Sequence, residues 1–366
     1  MPLRSKDKRI TLTDLGKLLN LTPRAVSQAL NGEDSTVRVS KATKKRVQTL
    51  ARRLNYRPNR MAQTLRTGKS GMVGVLAFQA FGHLFQQKLY LARQYAESHG
   101  FHPNIYIIPD GSEKSRNRAV DVMMDSKVDA VIVFNDLGNP QVSQLTKAGI
   151  PVVVVGAARV RNAPTYRADL KGGFSLLAKH LIAQGNSNLM FLDIVENKGN
   201  SLPWSTKCAM EGIQEAVDIA IREGQPVTSK THALNVSYDG FMLKEAPSIH
   251  GLHAGGYLGM KDIIRQQVVP EALICNGDHV VLGAMRACAE SGVIIPKDMS
   301  ICGLGDAPFS SAGFLTITSV RQPLDELCRL AFDDLKLMTE SGKLLKDRRV
   351  VLPYELIVRE STLQTR

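Results

Sequence analysis

Residues 10–32, ITLTDLGKLLNLTPRAVSQALNG, and residues 39–65, VSKATKKRVQTLARRLNYRPNRMAQTL, decide how the rest of the chain is read. In the first run, Leu12, Leu15, Leu18 and Leu19 recur at helical spacing, with Thr11 or Thr13 placed to cap. Asn20 and Leu21 fit a tight turn. Thr22 then stands where an N-cap belongs, and Pro23 occupies the first helical position, where its missing N–H costs nothing. Val26, Ala29 and Leu30 fall on the inner face of this second helix; Arg24, Ser27 and Gln28 fall on the other. Two short helices joined by a tight turn, the second presenting polar side chains from its first turns, have the build of a helix-turn-helix. An amphipathic helix pair of no special purpose would share the periodicity, so the second run matters.

In that run Ser40 caps a predicted third helix, Lys41 to Leu54, with Val47, Leu50, Ala51 and Leu54 facing inward. Lys44, Lys45, Arg46, Arg52 and Arg53 surround it. Asn55-Tyr56-Arg57-Pro58 ends it, because a residue before proline is pushed out of the helical region. Asn59 is placed to cap one more short segment, Arg60 to Arg66, which Gly68 closes.

Charge follows the same boundary. Of the chain's 47 basic and 34 acidic residues, 17 and 4 fall in residues 1–70, which leaves 30 of each in the remainder. The whole excess of +13 therefore sits in the first fifth of the sequence. A focused basic module on a neutral body is the footprint of a polyanion binder. Only Met1 to Arg9 reads as a loose basic arm.

At this point a resemblance is plain. The stretch resembles the DNA-binding headpiece of the lac-repressor (LacI/GalR) family of bacterial transcription regulators. The residues that carry it are Asp14, Val26-Ser27, Leu30-Asn31, Val39-Ser40, Arg46-Val47, Leu54-Asn55-Tyr56-Arg57-Pro58-Asn59, Ala62 and Leu65. The connection from Asn31 to Val39 is a few residues longer than the family usually has. The resemblance implies contacts to double-stranded operator DNA from Thr22, Pro23, Arg24, Ser27, Gln28 and Asn31, and from Tyr56. It implies further contacts from Asn59, Ala62 and Leu65 in a hinge segment, with Leu65 entering the minor groove. It also implies a homodimer.

The 366 residues are too many for one ordinary domain. After a joint at Thr67-Gly68-Lys69-Ser70-Gly71 the rhythm changes. Apolar strands are expected at Met72 to Phe78, Asn104 to Ile108, Val128 to Phe134, Pro151 to Val155, Asn188 to Ile194, Ala272 to Asn276, Met299 to Gly303 and Val350 to Val358. Helices are expected between them, including Phe85 to His99, Lys207 to Arg222, Tyr257 to Gln266, His279 to Ser291 and Leu324 to Thr339. The region from Gly224 to Ala254 reads only as a strand plus loops. Strands apolar throughout and alternating with helices imply parallel sheets covered on both faces. Two such units in succession imply a bilobed body with a ligand cleft at the strands' carboxyl ends.

This body resembles the family's sensor core, which is similar to periplasmic sugar-binding proteins. The matching runs are Lys179 to Gly185, Asp278 with Leu282 to Ala287, Glu290-Ser291-Gly292, Thr318 to Pro323 and Leu352 to Ser361. The expected architecture is thus an all-α helix-turn-helix headpiece, residues 10–57, a hinge, 58–70, and an α/β bilobed core with parallel sheets, 71–366. By the family pattern, lobe one takes about 71–165 plus 322–342, and lobe two about 166–321 plus 345–362. The sequence after Ser361 has no leucine heptads, so a tetramer is not expected.

The candidate effector-pocket residues are Phe78, Phe85, Trp204, Lys207 and Asp278, and a small-molecule effector is the implied partner. The pocket departs from the family. Ala209 stands where the family has an arginine, Gly277 where it has an asparagine, and Gly305 where it has the first of two aspartates; Asp306 remains. Recognising a sugar needs convergent hydrogen bonds, and a site lacking them loses discrimination.

Other classes fit less well. Gly255-Gly256-Tyr257-Leu258-Gly259 is neither a phosphate loop nor a dinucleotide fingerprint, and no nucleophile elbow occurs. No catalytic residues and no cofactor are expected. Cys208, Cys275, Cys288, Cys302 and Cys328 have no metal-ligand spacing and are odd in number, which fits reduced thiols in the cytoplasm. The charged N-terminus is not followed by an apolar run, and no stretch is long enough to span a membrane, so an exported sugar-binding protein is disfavoured.

Overall fold

The structure, a computed structural model, describes residues 10–31, 39–56, 68–78, 83–135, 137–156, 160–195, 202–235, 238–239, 242–243, 246–346 and 348–362. The chain divides into two compact units, Met1–Ser70 and Gly71–Arg366.

The first unit contains α1 (Leu12–Leu19), α2 (Pro23–Asn31) and α3 (Lys41–Arg53). Thr11 and Asp14 form a reciprocal capping box at the start of α1: the Asp14 N–H donates to Thr11 Oγ1 at 3.2 Å and the Thr11 N–H donates to Asp14 Oδ2 at 2.9 Å. Asn20, left-handed at φ 56°, ends the helix. The turn is closed by the Leu21 N–H on the Gly16 carbonyl at 2.8 Å. Gly16 is required there, since a Cβ would lie 2.6 Å from the Leu21 carbonyl oxygen. Thr22 Oγ1 accepts the Ala25 N–H at 3.2 Å, and Ser40 Oγ accepts the Thr43 N–H at 3.1 Å, so α2 and α3 each have a side-chain cap. Leu15, Val26, Ala29, Val47 and Ala51 form the buried core, surrounded by Ile10, Leu19, Leu30, Leu50, Leu54 and Tyr56.

The second unit has two six-stranded sheets. The first contains β1 (Met72–Phe78), β2 (His102–Ile108), β3 (Ala130–Phe134), β4 (Val152–Val155), β5 (Thr165–Ala168) and β14 (Arg349–Leu352), in the order β14-β5-β4-β3-β1-β2, all parallel. Helices α4 (His83–Ser98), α5 (Glu113–Asp125), α6 (Asn139–Lys147) and the late α11 (Leu324–Ser341) cover it. The second sheet contains β6 (Asn188–Val195), β7 (Thr228–Asn235), β11 (Ala272–Cys275), β12 (Ser300–Leu304), β13 (Thr318–Arg321) and β15 (Glu355–Ile357), in the order β15-β13-β12-β11-β6-β7. Only β15 runs antiparallel. Helices α7 (Leu170–Ala183), α8 (Trp204–Arg222), α9 (Gly251–Arg265) and α10 (Asp278–Glu290) pack on this sheet. A small antiparallel sheet of β8 (Tyr238–Asp239), β9 (Met242–Leu243) and β10 (Ala246–His250) precedes α9.

The central strands are buried on both faces, as in a parallel sheet between helix layers; all of β3, β4 and β11 are buried. The chain passes between the sheets after Ala168, after Arg321 and after Leu352. This corrects the expected single strand from Val350 to Val358. Pro353, which has no N–H to donate, interrupts it, so β14 joins the first sheet and β15 the second. The lobe limits shift accordingly: β5 and β14 both belong to lobe one. The glycine run at the expected start of α9 also has a packing explanation. A Cβ on Gly256 would lie 2.1 Å from the Val280 carbonyl oxygen and one on Gly283 1.9 Å from the His253 carbonyl oxygen, so α9 and α10 pack backbone to backbone. The helix begins at Gly251, six residues before the expected Tyr257.

Candidate nucleic-acid interface and ligand cleft

In the first unit, Thr22, Pro23 and Arg24 are exposed together at the start of α2, and Ser27 and Gln28 are half-buried along the same helix. The fully buried Val26 and Ala29 hold the opposite face of α2 against α1 and α3. The side chains that open α2 are thus fixed by their backbone and directed away from the core. Lys17, Lys41, Lys45, Arg46, Arg52 and Arg53 are exposed around them, and Lys44 is half-buried. Tyr56 packs against the core, its N–H on the Ala51 carbonyl at 2.8 Å, and burial raises its phenol pKa above the ordinary value. Asn31 closes α2. Asn59, Ala62 and Leu65 lie outside the described residues, as do Arg60 to Arg66 as a whole.

In the second unit the two sheets face one another through the carboxyl ends of their strands. His83, the first residue of α4 in lobe one, meets lobe two: its Nε2 lies 2.9 Å from the Gly305 carbonyl oxygen, just past β12. Its ring centroid is 5.9 Å from that of His279, the second residue of α10. His279 Nδ1 lies 2.9 Å from His253 Nε2, and Phe309 packs edge-on against the His279 ring at 4.9 Å. Burial foremost, then the neighbouring His253 and His83, pulls the His279 pKa down to about 4.

The expected pocket residues do not form one group. Asp278 is buried beneath the cleft and its oxygens are engaged: the Ala307 N–H donates to it at 2.7 Å, Ser310 Oγ at 2.8 Å and Ser319 Oγ at 2.7 Å. Burial raises its pKa in spite of these bonds. Trp204 opens α8 with 39% of its surface exposed, and Lys207 is exposed one turn on. Phe78 ends β1 with the Arg116 guanidinium 5.6 Å above its ring, and Phe85 packs on the main core. Ala209 is fully buried among core residues. Gly277 and Gly305 both hold a positive φ, 126° and 125°. Asp306 is anchored by Arg359 at 2.6 Å and Arg321 at 2.7 Å. Burial alone would raise its pKa, but the two guanidinium hydrogen bonds outweigh it and hold the carboxyl low.

Sequence reasoning gave His83 no more than a packing or surface role, and it did not single out Lys88 or Arg116. Lys88 is largely buried in α4 and donates to Asn135 Oδ1 at 3.0 Å, at the end of β3; burial pulls its pKa down to about 8. Histidines and lone cations scattered along a sequence carry no spacing signal, and only the fold gathers them.

Two family profiles cover this architecture. One, described as periplasmic binding proteins and sugar binding domain of LacI family, matches residues 70–227. The other, a periplasmic binding protein-like domain, matches residues 178–362, half of the chain. The chain belongs to the LacI/GalR family. Among its LacI-type relatives, the HTH-type transcriptional repressor PurR of Haemophilus influenzae (strain PittEE) is 23% identical over 355 residues, 96% of this chain and 98% of that protein. The lactose operon repressor of Escherichia coli (strain K12) is 24% identical over 362 residues, 97% of this chain and 91% of that protein. The fold matches the lac repressor dimer bound to operator and the anti-inducer ONPF with a TM-score of 0.78 at 21% identity, over 98% of this chain and 100% of that one. The named relatives of this LacI-family chain are transcriptional repressors rather than enzymes. Among the described residues, no helix is long and apolar enough to cross a membrane and no cluster could hold a metal.

Proposed function

We propose that the protein is a cytoplasmic, homodimeric repressor that reads a near-palindromic operator, one headpiece per half-site, and couples that binding to a small-molecule effector in the bilobed core. In this reading residues 10–57 are the headpiece, 58–70 the hinge and 71–366 the sensing and dimerising body. The observation that carries it is the opening of α2. Thr22, Pro23 and Arg24 are exposed on a capped helix whose other face is locked in a core, within the part of the chain that holds the whole positive excess. A helix so mounted supplies base contacts from its first turns, and the surrounding lysines and arginines supply phosphate contacts. Two-fold symmetry in the dimer requires two-fold symmetry in the site.

The pocket is atypical for a neutral sugar. Ala209, Gly277 and Gly305 bring no polar side chain, and Asp278 and Asp306 are engaged by protein donors. Sedimentation of the protein with an operator duplex tests the assembly: two chains per duplex are expected, and one chain per duplex at saturation refutes the dimeric reading.

A further inference from the structure

Where the two lobes meet, two ring nitrogens have no use in the fold. His83 Nδ1 and His279 Nε2 are buried, and neither has a hydrogen-bond partner among the described residues. Their rings approach from opposite lobes, His83 at the N-terminus of the 16-residue α4 and His279 at that of the 13-residue α10. Among the described residues Lys88 donates to the neutral Asn135, and Arg116 lies over Phe78 with its Nε buried and unpartnered. Both stand at the carboxyl ends of β1 and β3, from which α4 departs.

Three described carboxylates near the cleft are already hydrogen-bonded. Asp278 takes three donors, Asp306 takes two arginines, and Asp193 takes Thr206 Oγ1 at 2.5 Å and Asn276 Nδ2 at 2.7 Å. Buried ring nitrogens without a hydrogen-bond partner are costly, and an acceptor placed between them offsets that cost. The two helix N-termini add partial positive charge directed at the same place.

We propose that the cleft binds a small anionic ligand whose carboxylate or phosphate group lies between His83 Nδ1 and His279 Nε2, within the positive field of Lys88 and Arg116. The proposal rests on reading the core as the ligand-sensing module and names the chemical class it senses. Binding takes up protons. His83 Nε2 must keep its hydrogen for the Gly305 carbonyl, so donation from Nδ1 requires the imidazolium. The charged and titratable groups facing His83 are His279 and the Asp278 carboxylate, and His279 in turn faces His253 and Phe309.

The test is calorimetric titration of the full chain with gluconate and with sulfate, both ionised from pH 6 to 8, and with neutral sorbitol as the matched polyol. The proposal expects gluconate or sulfate to bind about tenfold more tightly at pH 6 than at pH 8, with proton uptake, and sorbitol not to bind. His83→Gln and His279→Gln should each abolish the binding without changing the melting temperature of the free protein at pH 8. No heat from either anion at about 10 mM overturns it, as does sorbitol binding as tightly as gluconate, or anion binding untouched in both variants. A bound anion that leaves operator affinity unchanged supports this site and refutes the sensor reading. A neutral sugar that releases the operator does the reverse.

Discussion

At the residue scale, Arg24 and His279 carry the sharpest expectations. Arg24 is exposed in the first turn of α2, and its guanidinium fork matches guanine O6 and N7, whereas Pro23 beside it offers only apolar contact. Arg24→Ala is expected to cost about 1–3 kcal/mol of operator binding and to relax preference at one base pair per half-site. Gel-shift titration on operator variants reads this; equal weakening on every sequence would make Arg24 a phosphate contact. His279 is held neutral in the fold, its pKa lowered to about 4 by burial and by the adjacent histidines. A lowered imidazole pKa stabilises the fold fully above the unfolded value of about 6.5, and that share is lost as pH falls from there toward 4. The melting temperature of the body should therefore drop more steeply between pH 6.5 and 4 than in His279→Gln, and parallel slopes would remove His279 from the account. The caps at Thr11, Thr22 and Ser40 were legible in the sequence because capping is local. The engagement of Asp278 was not, because its donors Ala307, Ser310 and Ser319 are 29 to 41 residues away.

At the element scale, the turn between α1 and α2 and the hinge segment are the two sensitive points. Gly16 carries no signal of its own in the sequence, yet it admits the Leu21 carbonyl where a Cβ has no room. Gly16→Ala should destabilise the headpiece by about 1–3 kcal/mol, a large share of what so small a core provides. The body has no stake in that contact. Melting followed by headpiece amide signals should shift while the body transition stays in place; a headpiece that melts unchanged would show that the turn relaxes at no cost. Leu65 is expected to wedge into the minor groove and kink the duplex. Leu65→Ala should lower both specific affinity and the bend seen by circular-permutation gel shift, and an unchanged bend rejects the wedge. Much of the helix and strand order in the body followed from periodicity, since central strands such as β3, β4 and β11 are uniformly apolar. The split at Pro353 escaped because apolar residues flank the proline on both sides from Val350 to Val358, and only the sheet order shows that the two halves serve different lobes. The short strands β5 and β13 were missed for a similar reason: four residues containing Arg167 or Arg321 lack a strand's signature until they are paired.

At the scale of the whole molecule, the chain joins a small basic reader to a neutral body whose chain crosses between its sheets three times. Charge asymmetry and the order of motifs along the chain made this division legible, because both are properties of long stretches. The chemistry of the cleft was not legible, since it depends on His83 and His279 meeting from opposite lobes. The central claim is that α2 reads bases within a two-fold assembly. Selection of bound duplexes from a random DNA pool by the purified protein tests it most directly. The account predicts one enriched motif made of two inverted half-sites, with the base pair whose preference Arg24→Ala relaxes at symmetric positions in both. Enrichment of a single unpaired half-site, or no enrichment over bulk DNA, would contradict it.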